Sequence, residues 1–113
     1  MEGMRTCKGF RVTGGKGVHF TFANGFTVSI QWGPGNYCEN YNMLDFTHAG
    51  YKKAGEAGST TAECAVWGPD GSMIRNDAWL DGTPDYENEF CDTVRGYMTP
   101  DEVLALMAWA ARQ

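Results

Sequence analysis

Three side chains in the second half of this sequence carry the chemistry to hold a nucleobase. Trp67 offers an indole face for stacking, Asn76 an amide that reads a base edge, and Arg95 a guanidinium that pairs with phosphate or caps a ring. Each has a plainer reading. A Trp on a strand is more often core, and Arg95 stands close to an acidic stretch that could neutralise it. A second set lies in Gly33-Pro34-Gly35-Asn36-Tyr37, directly after a strand ending in Trp32. Its glycines let backbone amides approach a ligand, while Asn36, Asn40 and Tyr37 are what a base or sugar pocket uses; Gly-Pro-Gly is equally ordinary turn punctuation.

Two further groupings are weaker. Cys38, Asp45 and His48 are the parts of a nucleophilic site, but no signature sequence surrounds the cysteine. Gly14-Gly15-Lys16-Gly17 lacks the spacing and the following Ser or Thr of a phosphate loop and precedes a strand, so it is rejected as one. Arg11 and Lys16 remain a source of local positive charge, or solvated edge residues. His19, on the polar side of its strand, is expected to face solvent.

The elements that must position these residues are legible in the hydrophobic pattern. Val18, Phe20 and Phe22 alternate with His19 and Thr21, and Phe26, Val28, Ile30 and Trp32 alternate with Thr27, Ser29 and Gln31, giving two half-buried strands. A two-residue Asn24-Gly25 turn would mix their faces. A three-residue loop, Ala23-Asn24-Gly25 with Gly25 left-handed, pairs Phe22 with Phe26, Phe20 with Val28 and Val18 with Ile30. Cys7 to Thr13 reads as a first strand ending in a glycine turn. Thr60 to Trp67, the turn Pro69-Asp70-Gly71-Ser72 and a strand beginning at Ser72 make a second hairpin. Asp77 to Leu80 is a short strand or a turn. Gly33 to Ser59 is too long for an inert connection. Thr99, Pro100 and Glu102 spell a helix start with a capping box, followed by Val103, Leu106, Met107 and Ala110 on one face, widened by Leu104 and Ala111. The fold expected is α+β: an antiparallel β-sheet built from two hairpins, with a C-terminal amphipathic helix packed on one face.

Composition bounds the rest. A chain of 113 residues, 42% hydrophobic, is one domain spanning 1–113. A net charge of −5 gives no footprint for a nucleic-acid polymer. No apolar run suits a bilayer or a signal peptide, so no membrane partner and a cytoplasmic location are expected. Cys7, Cys38, Cys64 and Cys91 stand 26 to 31 residues apart, without the close pairing of a zinc or redox motif, and are read chiefly as reduced buried thiols. No metal or other cofactor is expected. Asp81, Asp85, Glu87, Glu89 and Asp92, with Tyr86 and Phe90 between, form an acidic loop.

Asp92-Thr93-Val94-Arg95-Gly96-Tyr97-Met98-Thr99-Pro100-Asp101-Glu102-Val103, taken with Ala23-Asn24-Gly25-Phe26-Thr27-Val28-Ser29-Ile30-Gln31 and Gly35-Asn36-Tyr37-Cys38, resembles small bacteriophage proteins. In particular the chain is similar to the anti-Thoeris sponge family, whose members bind cyclic ADP-ribose isomers, and in some cases cyclic oligonucleotides, without degrading them. The resemblance covers the two hairpins and the helix start; the segment from Tyr41 to Ser59 has no counterpart. It implies that Trp67 and Arg95 hold the adenine with Asn76 nearby, provided Asn76 and not Asp77 points inward, since a carboxylate would repel a diphosphate. It also implies a homo-oligomer.

The leading expectation is therefore a phage counter-defence protein, not an enzyme, that sequesters a nucleotide-derived immune signal, with Trp67, Asn76, Arg95, Asn36, Tyr37 and Arg11 as ligand-binding residues. The alternative is a protein-binding inhibitor of a bacterial defence complex acting through the acidic loop. A small hydrolase using Cys38 and His48 is the third.

Overall fold

The computed structural model describes residues 8–14, 17–33, 36–39, 58–79 and 93–113. Five strands, β1 (Gly9–Val12), β2 (Gly17–Thr21), β3 (Thr27–Gln31), β4 (Ala62–Trp67) and β5 (Val94–Met98), form one antiparallel sheet in the order β1-β2-β3-β4-β5. A helix, α1 (Pro100–Ala111), packs against one side, so the fold is α+β.

The first hairpin has the bulged turn that face matching demands. Val18 pairs with Ile30 and Phe20 with Val28. Phe22 N–H donates to the Phe26 carbonyl at 2.9 Å, and Gly25 takes φ +89°, a conformation that a residue with Cβ rarely adopts. β4 continues the sheet, with Val66 opposite Val28 and Cys64 opposite Ile30. Every large apolar side chain of β2 to β4 paired in this way lies on the helix side.

The second hairpin is shorter than expected. Its turn forms, with Gly68 N–H donating to Ser72 and Ile74 N–H to Val66, but the returning strand is the single bridge Trp67↔Met73. The chain then leaves β4 through a 3-10 turn at Asn76–Ala78, and β5 takes the rest of that edge. β5 carries a bulge. Ala62 faces Met98 while Cys64 faces Arg95, so Gly96 and Tyr97 share the place opposite Glu63, with Tyr97 at φ +54°. The Tyr37 Cβ lies 2.5 Å from where a Cβ on Gly96 would stand, and Tyr97 N–H donates to the Tyr37 carbonyl at 2.8 Å.

Val28, Cys64, Val66, Trp79, Met98, Leu106 and Ala110 make the core. Full burial of side chains such as Val28, Val66 and Leu106 contributes about 1.5–3 kcal/mol each. At the helix start, Glu102 N–H donates to Thr99 Oγ1 and Thr99 N–H to Glu102 Oε1, completing the capping box. At the other end, Asn24 closes two structures at once. Its Oδ1 accepts from Phe26 N–H within the turn, and its Nδ2 donates to the carbonyls of Ala110 at 2.8 Å and Gln113 at 3.0 Å. Because α1 packs chiefly over β3 and β4, Leu104, expected to widen the buried face, is 70% exposed.

Candidate functional site

The sheet side away from the helix is polar. The registers Arg11↔His19, His19↔Ser29 and Ser29↔Ala65 draw a line across β1 to β4, and residues directly opposite in an antiparallel pair share a face. Trp67 stands two residues beyond Ala65 on the same face. Ser29 and Ala65 are buried and small, which leaves room for larger rings from β2 and β4 to meet above β3. Arg11 Nη2 donates to His19 Nδ1 at 2.5 Å, and the His19 and Trp67 rings lie 5.4 Å apart, tilted by 46°. Guanidinium, imidazole and indole thus form one row. The hydroxyls flanking it are engaged with each other or with amides: Thr21 with Thr27 at 2.9 Å, and Thr13 and Ser29 with Gln31 Nε2 at 2.6 and 3.2 Å.

The electrostatics of the row are unusual. A guanidinium has only donors, so His19 Nδ1 must present its lone pair and the ring proton belongs on Nε2. Burial first, and then the Arg11 charge, push the His19 pKa below its ordinary value, which keeps the ring neutral at pH 7. Among the described residues the one ion pair is the exposed Arg75–Asp77 contact at 3.3 Å, so Arg11 has no carboxylate there. A half-buried cation resting on a neutral ring, in a chain of net charge −5, keeps its affinity for an anion.

The other expected site residues lie elsewhere. Asn76 is buried, and its Nδ2 donates to the Val94 carbonyl at 2.8 Å, tying the 3-10 turn to β5. Asp77 is the exposed neighbour, paired with Arg75, so Asn76 is the inward residue of the two. Arg95 faces Cys64 in the register, which sets it on the helix side and Trp67 on the opposite side. Trp67, Asn76 and Arg95 are therefore not brought together into one pocket.

Asn36 and Tyr37 belong to a separate network at the far end of the polar face. Glu63 Oε1 accepts from Asn36 Nδ2 at 3.2 Å and Oε2 from Tyr37 N–H at 3.0 Å, while Asn36 Oδ1 accepts from Gly33 N–H. The four-residue step from Glu63 to Trp67 along β4 spans roughly 13 Å. Both ends of the Asn36 amide are committed to fixing this loop. Lys16, Asn40, Asp45, His48, Cys7, Cys91 and the acidic loop Asp81 to Asp92 lie outside the described residues.

His19, expected to face solvent, is the functional candidate that pattern reading missed. The signal that finds it is register: a hairpin closed at the Gly14 to Gly17 turn puts Arg11 opposite His19. The two described thiols are poor nucleophiles. Cys38 is buried and donates to the Gly33 carbonyl, and burial, followed by the charges of Glu63 and Glu102, pushes the Cys64 pKa up to about 12.

On the helix side, an open groove of about 620 Å³ runs between α1 and the sheet, lined by Phe20, Ile30, Trp32, Val103, Leu104 and Met107 among others. Beside it Phe10, edge-on to Phe20 at 5.0 Å, is 83% exposed. No helix among the described residues is long and apolar enough to cross a membrane. No family model matches the sequence, and no curated protein or solved structure is significantly similar to the chain.

Proposed function

We propose that this protein binds and sequesters a small nucleotide-derived signal, as a phage counter-defence sponge acting in the host cytoplasm, with the Arg11–His19–Trp67 row as its recognition surface. The observation that carries this reading is the half-buried Arg11 guanidinium, hydrogen-bonded to a neutral imidazole, with the Trp67 indole on the other side of that ring. A cation and an aromatic plane in one row match the anionic and planar halves of a nucleotide. Stacking on an aromatic side chain contributes about 1–3 kcal/mol per base. The motif resemblance to the anti-Thoeris sponges, if it reflects kinship, makes a cyclic ADP-ribose isomer or a cyclic oligonucleotide the ligand this proposal names. Binding without turnover is part of the proposal, and the protonated Cys64 and buried Cys38 agree with it. In this reading Asn76, Asn36 and Tyr37 hold the scaffold, and Arg95 serves the opposite face.

The same similarity implies a homo-oligomer. The β1 edge, with Phe10 and Val12 exposed, is the place this proposal gives to a second copy. The apolar groove beside that edge favours a second reading, an inhibitor that docks on a protein of a defence complex.

The test is a thermal-shift screen with cyclic ADP-ribose isomers, cyclic di- and trinucleotides and linear controls, followed by chromatography of what heat releases. A ligand at a hundredfold its Kd should stabilise the fold by about 2.7 kcal/mol, a rise on the order of 10 °C. Trp67→Ala and Arg11→Ala should each abolish most of that rise. No shift with any compound would favour the protein-docking reading, and chemically altered ligand would make the protein an enzyme.

A further inference from the structure

We propose that Arg11 and His19 together form a proton-linked anion seat: an entering phosphate group takes over the guanidinium, and His19 picks up a proton and binds the same group as an imidazolium. The inference rests on the reading of this face as a ligand site, and deepens it by fixing how the ligand's charge is held.

In the structure Nδ1 of His19 accepts from Arg11 Nη2, an arrangement open only to the neutral ring. Protonating that nitrogen would set two cations at hydrogen-bond distance. Nothing else among the described residues facing His19 supplies compensating negative charge. β1 contributes Arg11; β3 contributes Ser29, Thr27 and Gln31; β4 contributes Ala65 and Trp67. Among the described residues Glu63 is the carboxylate of the β4 row on this face, and it is engaged by the Asn36 amide and the Tyr37 N–H. A phosphate reverses the balance. Its oxygens accept from the guanidinium and from a protonated Nδ1 alike, so one proton passes from solvent to the Nδ1 lone pair for each anion bound, and no other bond forms or breaks. Trp67, against the other side of the imidazole, limits the seat to one edge of the ring.

Two measurements test this. The first follows the His19 imidazole by NMR from pH 5 to 9, assigned by loss of its signal in His19→Gln, with and without saturating sulfate, whose charge is constant over that range. The pKa is expected below its ordinary value without sulfate and above it with sulfate. An unchanged pKa overturns the seat, whatever nucleotides do. The second measures the affinity for ADP-ribose, whose diester phosphates do not titrate near neutrality, by calorimetry at pH 6 to 8 in two buffers of different ionisation enthalpy. Affinity should rise by up to about tenfold per unit fall in pH, with close to one proton taken up. Adenosine should show no pH dependence, and His19→Gln should bind ADP-ribose with a flat profile. Binding that is pH-independent in the wild type, or that keeps its slope in His19→Gln, overturns the proton linkage alone. Binding indifferent to both Trp67→Ala and Arg11→Ala overturns the site itself.

Discussion

Asn24→Asp isolates one joint of the fold with almost no change of shape. The substitution keeps the Oδ1 that accepts from Phe26 N–H, so the turn retains its internal bond. It removes the Nδ2 that donates to the Ala110 and Gln113 carbonyls at the end of α1. Losing the part-buried bond to Ala110 costs about 1 kcal/mol, and the exposed bond to Gln113 about 0.5. A carboxylate beside the negative end of the helix dipole adds about 0.5–1 kcal/mol. The expected loss is therefore about 2–2.5 kcal/mol at pH 7. With an unfolding entropy of roughly 0.24 kcal/mol/K for 113 residues, Tm falls by on the order of 10 °C. The pH dependence has a definite sign. The new carboxyl faces carbonyl oxygens, so its folded-state pKa lies above its unfolded value. The protonated variant is then relatively stable below about pH 4, and that stability is lost as pH rises through the folded pKa. Urea denaturation of both proteins at pH 7 and pH 3.5 measures this. A variant within 0.5 kcal/mol of wild type at pH 7, or a deficit that does not shrink in acid, would refute the reasoning that Asn24 holds the helix end.

Two other consequences are open to simple tests. Gly96→Ala drives a Cβ to 2.5 Å from the Tyr37 Cβ and 3.1 Å from its carbonyl oxygen, and should cost about 1–3 kcal/mol by urea midpoint. Tyr37→Gly in the same chain should return part of that loss, and additive costs would show that the two do not press on each other. Cys64, its pKa raised to about 12, should resist iodoacetamide at pH 8.5 in the native state and react in denaturant, as read by peptide mass spectrometry. Because this shift is upward, its contribution to stability is complete below the unfolded pKa and is lost as pH rises from about 9 towards 12.

What could be read from the residues depended on how local the cause was. The β2–β3 register follows from which face each aromatic must share, and the start of α1 from a four-residue cap, so both were legible. β5 was not. Its bulge puts Val94 opposite Ala65 on the polar face but Met98 opposite Ala62 on the helix side, although the two are four residues apart. Simple alternation breaks across Gly96 and Tyr97, and with it the strand signal. The turn at Pro69 to Ser72 was equally plain, but the length of the strand after it depended on β5 claiming the same edge. The same non-locality governs the site. Arg11 and Trp67 were recognised separately, and they join only through His19, whose partners come from β1 and β4. Trp67 and Arg95 look equivalent in a linear string, and the sheet separates them onto opposite sides.

The bond between Asn24 and Ala110 spans 86 positions of the chain, and the ribosome makes its acceptor long after its donor. Neighbouring strands can zip one after another as they emerge, since each pairs with the next in order. Throughout that interval Val28, Val66 and the other apolar side chains beneath α1 lack the part of their cover that Leu106 and Ala110 supply. A nascent sheet of this protein should therefore be a client for holding chaperones until its last turn of helix is released. A released chain that ends before Pro100 should aggregate, although it contains all five strands of the sheet.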